Sequence, residues 1–212
     1  MRRNKQEHTY WAVRARTYDA ATGYVIGEET QRETIKWLSR QFQQTDQVLE
    51  LGYGTGRFSE VVAKHAGHLT ATEGAVEMLD VAKRRLGPFT NTTVQLEDCY
   101  HTSFADGIFD VVFLGNVIHI LGSPIKALIE SRRILKPGGS ILLVDSTTYG
   151  MTLWRKLSMG LRYLRKFGLP PKDNRFVSPD DVTRWLETAG FRLEASRLAQ
   201  KETNVVCVRG RR

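Results

Sequence analysis

Residues 50–56, Glu50-Leu51-Gly52-Tyr53-Gly54-Thr55-Gly56, place a carboxylate two positions before a G-x-G-x-G turn. Glycine tolerates positive φ and lets a ligand come close to the backbone, which is what a strand turning sharply into a helix needs. The spacing differs from the G-x-G-x-x-G of a dinucleotide turn, where a helix N-terminus receives a pyrophosphate. A carboxylate at this position repels phosphate and suits a ligand carrying an ammonium or sulfonium charge. Glu73, about two dozen residues further on, has the separation of an acid ending the next strand of a βαβ unit, where it can accept both hydroxyls of a ribose.

Asp98 follows the third apolar run and can accept from an adenine amino group, with Cys99 and Tyr100 flanking the ring. Gly115 or Asn116, after the fourth run, offers a backbone carbonyl to the ligand's amino group. These residues outline a nucleoside joined to a charged, amino-acid-like group. Just beyond them His119 is a candidate base facing a second substrate, or a packed helix histidine. Tyr10 is the other candidate base, with Asp145 and Tyr149 in reserve.

The elements that must position these groups are legible. Residues 7–40 read as helical with a break at Gly23 and Gly27. Val48 to Leu51, His68 to Glu73, Thr92 to Leu96, Phe109 to Leu114 and Ile141 to Asp145 read as buried strands. Helices fall between them at Phe58–His65, Ala75–Leu86 and Pro124–Leu135, the last opened by a proline in its first turn. Strands alternating with helices predict an α/β sheet, parallel and covered on both faces, with ligands beyond the strands' carboxyl ends. Ser178-Pro179-Asp180-Asp181 starts a last helix, and Phe191–Leu198 with Asn204–Val208 makes a hairpin, so one of these strands is antiparallel.

On these residues the run from about Asp46 to Asp145 resembles a class I S-adenosylmethionine-dependent methyltransferase. The first strand and glycine turn, Glu73, Asp98, Phe109-Asp110-Val111-Val112-Phe113 and Arg133-Ile134-Leu135-Lys136-Pro137-Gly138-Gly139 match its motifs in order. The branch nearest in look methylates small molecules, quinones and phospholipids. The resemblance implies a doubly wound, Rossmann-like sheet of order 3-2-1-4-5-7-6 with strand 7 antiparallel. It implies S-adenosylmethionine as cofactor, held by Glu50, Gly52, Gly54, Gly56, Glu73, Asp98, Cys99, Asn116 and Tyr18. Tyr10, Trp11, Tyr18 and Asp19 resemble that branch's N-terminal lid, giving a lid at 1–40 and a cofactor domain at 41–212 with an insertion at 146–177. Gly74, where many relatives carry a small polar residue or Asp, and Arg57 after the turn depart from the pattern.

The formal charge of the 212 residues is +8, yet residues 1–145 carry 17 basic and 17 acidic side chains, against 14 and 6 in residues 146–212. The excess concentrates in 151–175, a basic and aromatic stretch. Leu153, Trp154, Leu157, Leu161, Leu164 and Phe167 read as one apolar helical stripe, with Arg155, Lys156, Arg162, Arg165 and Lys166 beside or opposite it. Such a helix suits an anionic membrane, each Lys or Arg contributing about 1 kcal/mol near the surface; alternatively it is a lid packed on the substrate pocket. Nucleic acid is disfavoured, because Gly115-Asn116-Val117-Ile118 is not the Asn/Asp-Pro-Pro-aromatic signature of base amino methylation.

Cys99 and Cys207 form no CxxC pair and have no His at ligand spacing, so no metal site is expected. No apolar run approaches a membrane span, and the expected location is the cytoplasm, at most peripheral to the inner face of the membrane. The resulting expectation is methyl transfer to a small or lipid-like acceptor, a phospholipid head group or quinone precursor. The alternative is a cofactor-binding regulatory or partner protein without turnover.

Overall fold

Short apolar runs at helical intervals assemble into one seven-stranded sheet. A computed structural model describes residues 17–170 and 174–212; Tyr10, Trp11 and residues 171–173 of the basic stretch lie outside the described residues. The strands are β1 (Gln47–Leu51), β2 (His68–Glu73), β3 (Thr92–Leu96), β4 (Phe109–Gly115), β5 (Leu135–Thr147), β6 (Arg192–Gln200) and β7 (Asn204–Arg211). Their order is β3-β2-β1-β4-β5-β7-β6. The first five run parallel, and β7 pairs antiparallel with both β5 and β6, as the terminal hairpin predicts.

The described helices are α1 (Tyr18–Ile26), α2 (Glu28–Leu38), α3 (Arg57–His65), α4 (Leu79–Leu86), α5 (Pro124–Ile134), α6 (Leu153–Phe167) and α7 (Pro179–Thr188). Three local expectations shift. The N-terminal helical stretch breaks at Gly27, with φ 92°, while Gly23 continues inside α1. The helix expected from Ala75 begins as a 3-10 turn at Val76–Met78. β5 starts at Leu135 directly after α5, with the Lys136–Gly139 turn absorbed as a register shift in its pairing with β4.

Alternation along the strands sorts side chains into two cores. Val48, Leu69, Ala71, Val111, Phe113, Leu142 and Val144 pack against α2, α3 and α4 through Leu38, Val62, Ala63, Ala82 and Leu86. Leu49, Leu51, Val112, Leu114, Ile141, Leu143, Val206 and Val208 face α5 and α7 through Leu128, Ile134, Val182 and Leu186. A third, small cluster joins α1 to α6 through Ala21, Val25 and Phe167. Ser178 caps α7, accepting from the Asp181 backbone N–H at 3.1 Å while Asp181 accepts from Ser178 in return, the reciprocal pairing expected of that start.

The loop after β3 is fastened to α5 by a buried carboxylate. Glu130 accepts from the Thr102 hydroxyl at 2.6 Å, the Thr102 N–H at 2.8 Å and two Arg133 nitrogens at 2.6 and 2.9 Å. Burial pushes the Glu130 carboxyl up, but the bonds from Arg133 and Thr102 overcome it and hold it down at about 2. A carboxyl lowered on folding stabilises above its unfolded pKa and loses that contribution as pH falls towards the folded one. Between about pH 4.5 and pH 2 the protein should therefore lose about 2–3 kcal/mol through Glu130. Glu130→Gln should be destabilised by a comparable amount at pH 7 and lack this component of acid sensitivity, as followed by thermal denaturation across pH.

Candidate functional site

The turn between β1 and α3 takes a path open to few residues. Gly52, Gly54 and Gly56 all sit at positive φ, 78°, 54° and 78°. The Gly52 and Tyr53 N–H groups donate to the Thr72 carbonyl at 2.7 and 3.1 Å, which binds the turn to the end of β2. A Cβ on Gly52 would lie 2.6 Å from Val117 Cγ2, whereas one on Gly54 would meet nothing within 4 Å. The backbone at Gly54 is thus bare towards the cleft above it.

Glu73 closes this floor. Its carboxylate accepts from the Gly54 N–H at 3.2 Å and the Gly74 N–H at 2.9 Å, one on each oxygen. Glu50 lies beneath the turn, 1% exposed, and does not itself reach the cleft wall. Burial pushes its carboxyl up to about 8, with Glu73's charge adding to the rise and Ser59 opposing it. Its Oε2 has no hydrogen-bond partner among the described residues.

The cleft above encloses about 1030 Å³, its open mouth included. Gly52, Tyr53, Gly54, Thr55 and Glu73 line one end. Tyr18, Asp19, Thr22, Ile26, Gln31, Thr34 and Ile35 from α1 and α2 line the roof, and Phe58, Gly115, Asn116, Val117, Ile120, Val144, Ser146 and Val205 complete the walls.

The roof is latched to the turn. The Thr55 hydroxyl donates to Asp19 Oδ1 at 2.6 Å, and Arg85 of α4 donates to Asp19 Oδ2 and, at 3.0 Å, to the Thr55 carbonyl. Arg57 donates to Gln31 Oε1 on α2. Nothing in the local pattern distinguished Arg85 or Gln31 from solvated helix residues; their roles arise from where α2 and α4 meet the turn.

Other expected residues are placed apart. Asn116 lines the cleft with φ 54°, and its Oδ1 accepts from the Ser146 N–H and hydroxyl at 3.2 and 3.1 Å. Asp98 is exposed and accepts from the Tyr100 N–H at 2.9 Å; neither it nor Cys99 lines the cleft. His119, read as either a base facing the acceptor or a packed histidine, is not on the wall either. Its Nδ1 lies 2.8 Å from Asp145 Oδ1, and its N–H donates to Asp145 Oδ2 at 3.3 Å. The cause is strand alternation: Val144 and Ser146 face the cleft, so Asp145 between them points to the other layer and holds His119 there.

A family model described as a methyltransferase domain matches residues 49–143, the span from β1 to β5 that carries the glycine turn and Glu73. Together with the relatives below, this match supports a class I S-adenosylmethionine-dependent methyltransferase. It is similar to a ubiquinone biosynthesis O-methyltransferase of Coxiella burnetii, 26% identical over 165 residues covering 75% of this chain and 69% of that one. It is 32% identical over 111 residues to a demethylmenaquinone methyltransferase of Clavibacter sepedonicus, covering 52% of this chain and 45% of the relative. Among solved structures, a methyltransferase from Aquifex aeolicus superposes with a TM-score of 0.70 at 19% identity, covering 94% and 97% of the two chains. This methyltransferase uses S-adenosylmethionine, and the bare turn, the Glu73 carboxylate at its edge and the unpartnered buried Glu50 oxygen suit a ligand with a ribose and a positive charge.

Gly52→Ala should weaken S-adenosylhomocysteine binding at least tenfold, since the added methyl meets both positive φ and Val117. Gly54→Ala should cost only about 1 kcal/mol of stability from backbone strain. Calorimetric titration and thermal unfolding of the two variants measure this.

Proposed function

We propose that the methyltransferase alkylates a small, largely apolar ring acceptor of the quinone-precursor class, held between the cofactor and the roof formed by α1 and α2. The observation that carries this reading is the composition of one cleft. Its floor is polar backbone and carboxylate, while Ile26, Ile35, Phe58, Val117, Ile120, Val144 and Val205 give the wall an apolar set beside the polar Asp19, Thr22, Gln31, Thr34, Arg57, Asn116 and Ser146. The quinone-related names of the two relatives support the same class. No relative supports a phospholipid head group as acceptor.

In this reading Gly52, Gly54 and Gly56 let the backbone approach the cofactor's amino-acid end, Glu73 accepts the ribose hydroxyls, and Asn116 faces its amino group. Asp98 and Cys99 take the outer, adenine end, and Tyr18 covers the site. Glu50 contributes a negative potential from beneath. When bound, S-adenosylmethionine supplies an electrophilic methyl group on sulfur. The chain's task is then to hold the acceptor in line and keep water out, effects worth several kcal/mol each when geometry is tight.

The carboxylates lining the cleft are committed, Glu73 to the glycine turn and Asp19 to Arg85. We therefore assign His119 and Asp145 to positioning the segment after β4 and leave proton removal to Tyr10. Radiolabelled cofactor offered with a dihydroxylated prenyl-aromatic compound, a demethylated quinol and phosphatidylethanolamine tests the acceptor class: label should enter a ring compound, and label in the phospholipid alone would refute it. Tyr10→Phe should lower turnover at unchanged cofactor affinity. His119→Ala should weaken cofactor binding along with turnover.

A cation over the turn favours the charged form of Glu50. Below pH 8 binding of S-adenosylmethionine should therefore release a proton, with affinity rising with pH and levelling near pH 8. Calorimetry in two buffers of different ionisation enthalpy detects the proton, and Glu50→Gln should abolish it.

A further inference from the structure

Helix α6 has two apolar faces. Met159, Tyr163 and Phe167 turn inward onto α1, where Phe167 packs on Tyr18 with ring centroids 5.7 Å apart. Phe167 thus leaves the outward stripe assigned to it from the sequence. At 100° per residue it falls to one side of the arc shared by Leu153, Leu157, Leu161, Leu164 and Trp154. Those five stay outside, with Trp154 81% and Leu161 69% exposed. Leu169 and Phe176, which follow the helix in sequence, are 80% exposed each.

Charge selects what covers this face. Helix α6 carries five cations and no acidic residue. Arg155 and Arg162 donate to the Lys201 and Tyr24 carbonyls, and Lys166 lies 5.1 Å from the Tyr24 ring centroid, so none is neutralised by these contacts. Lys156 and Arg165 are exposed and form no ion pair among the described residues. A second copy would bring the same five cations against them. An anionic lipid surface meets both requirements, taking the leucines and the tryptophan into its interface and the cations among its head groups. No helix among the described residues is long and apolar enough to cross a membrane, so the contact is with a surface.

We propose that α6 docks on an anionic lipid surface by this outer face and, by its inner face, steadies α1 over the cleft, so that lipid and cofactor bind cooperatively. This rests on the reading of the cleft as the cofactor and acceptor site, and it places the mouth of an apolar cleft beside the phase where an apolar acceptor dissolves. The mechanical path is short. Phe167 and Tyr163 pack on Tyr18, and the next residue, Asp19, is held by Thr55 of the glycine turn and by Arg85. Ordering α6 lowers the opening of α1, and linkage makes the effect reciprocal.

Co-sedimentation of the full chain with equimolar phosphatidylglycerol/phosphatidylcholine vesicles, against phosphatidylcholine alone, tests the surface. Binding should require the anionic lipid and fall at least about tenfold in Lys156→Glu/Arg165→Glu. Trp154→Ser/Leu161→Ser should lose it similarly, both double variants keeping their vesicle-free affinity for S-adenosylhomocysteine. Vesicles should tighten S-adenosylhomocysteine about fivefold or more, and the ligand should tighten vesicle binding by the same factor. Phe167→Ala should keep vesicle binding and lose this coupling. Equal binding to neutral vesicles, unchanged binding by the double variants, or a dimer dissolved by Leu161→Ser without vesicle binding would overturn the surface assignment. Vesicle binding with no change in ligand affinity would overturn the coupling. Failure of folded protein to bind S-adenosylhomocysteine without vesicles would count against the cofactor reading alone, because co-sedimentation is scored separately.

Discussion

The structure hangs on the path of the chain between β1 and α3. Three glycines at positive φ carry it from a buried strand into a helix, their N–H groups bonded to Thr72, Glu73 and Tyr53, and the bare backbone at Gly54 faces the cleft. The path leaves no room for a Cβ at Gly52, where Val117 from the segment after β4 closes over it. It is also tied outward on three sides, to Thr72 and Glu73 at the end of β2, to Arg85 on α4, and to Asp19 on α1. The same few residues therefore shape the cofactor floor and fix the roof.

That arrangement brings two carboxyl groups together at the ends of neighbouring strands. Glu50 is sealed beneath the turn and Glu73 stands at its edge. Burial raises the first, and the second keeps its oxygens partly satisfied by backbone donors. A phosphate is repelled from such a place, while a sulfonium or ammonium relieves the cost of the buried carboxylate. In the proposed reading, a preference for a cationic nucleoside would arise at the strand ends before any side chain of the roof is considered.

The tip of β5 shows how strand alternation distributes roles. Val144 and Ser146 face the cleft and Asp145 faces away, drawing His119 with it. A sequence reading places His119 near the reacting centre because it follows β4 by a few residues. Linear proximity does not specify which side of the sheet a side chain takes after a 3-10 turn, and the Asp145 carboxylate decides that. Asp98 and Cys99 illustrate the same point at β3, where a tight turn satisfies Asp98 with the Tyr100 N–H and leaves it away from the cleft wall.

The family resemblance implied the sheet order; the sequence by itself determined the alternation of strands and helices, the terminal hairpin, the glycine turn and the two acids at the ends of β1 and β2. These depend on local propensity and on residue spacing between successive strand ends, both written along the chain. The basic helix and its outer row of leucines were legible for the same reason, since periodicity is local. Tertiary structure alone decided that Phe167 turns inward, that Arg85 and Gln31 bind the roof to the floor, and that His119 sits behind Asp145. Each of these depends on which surfaces meet when α1, α2, α4 and α6 pack, contacts between residues far apart in sequence whose partners no spacing rule encodes.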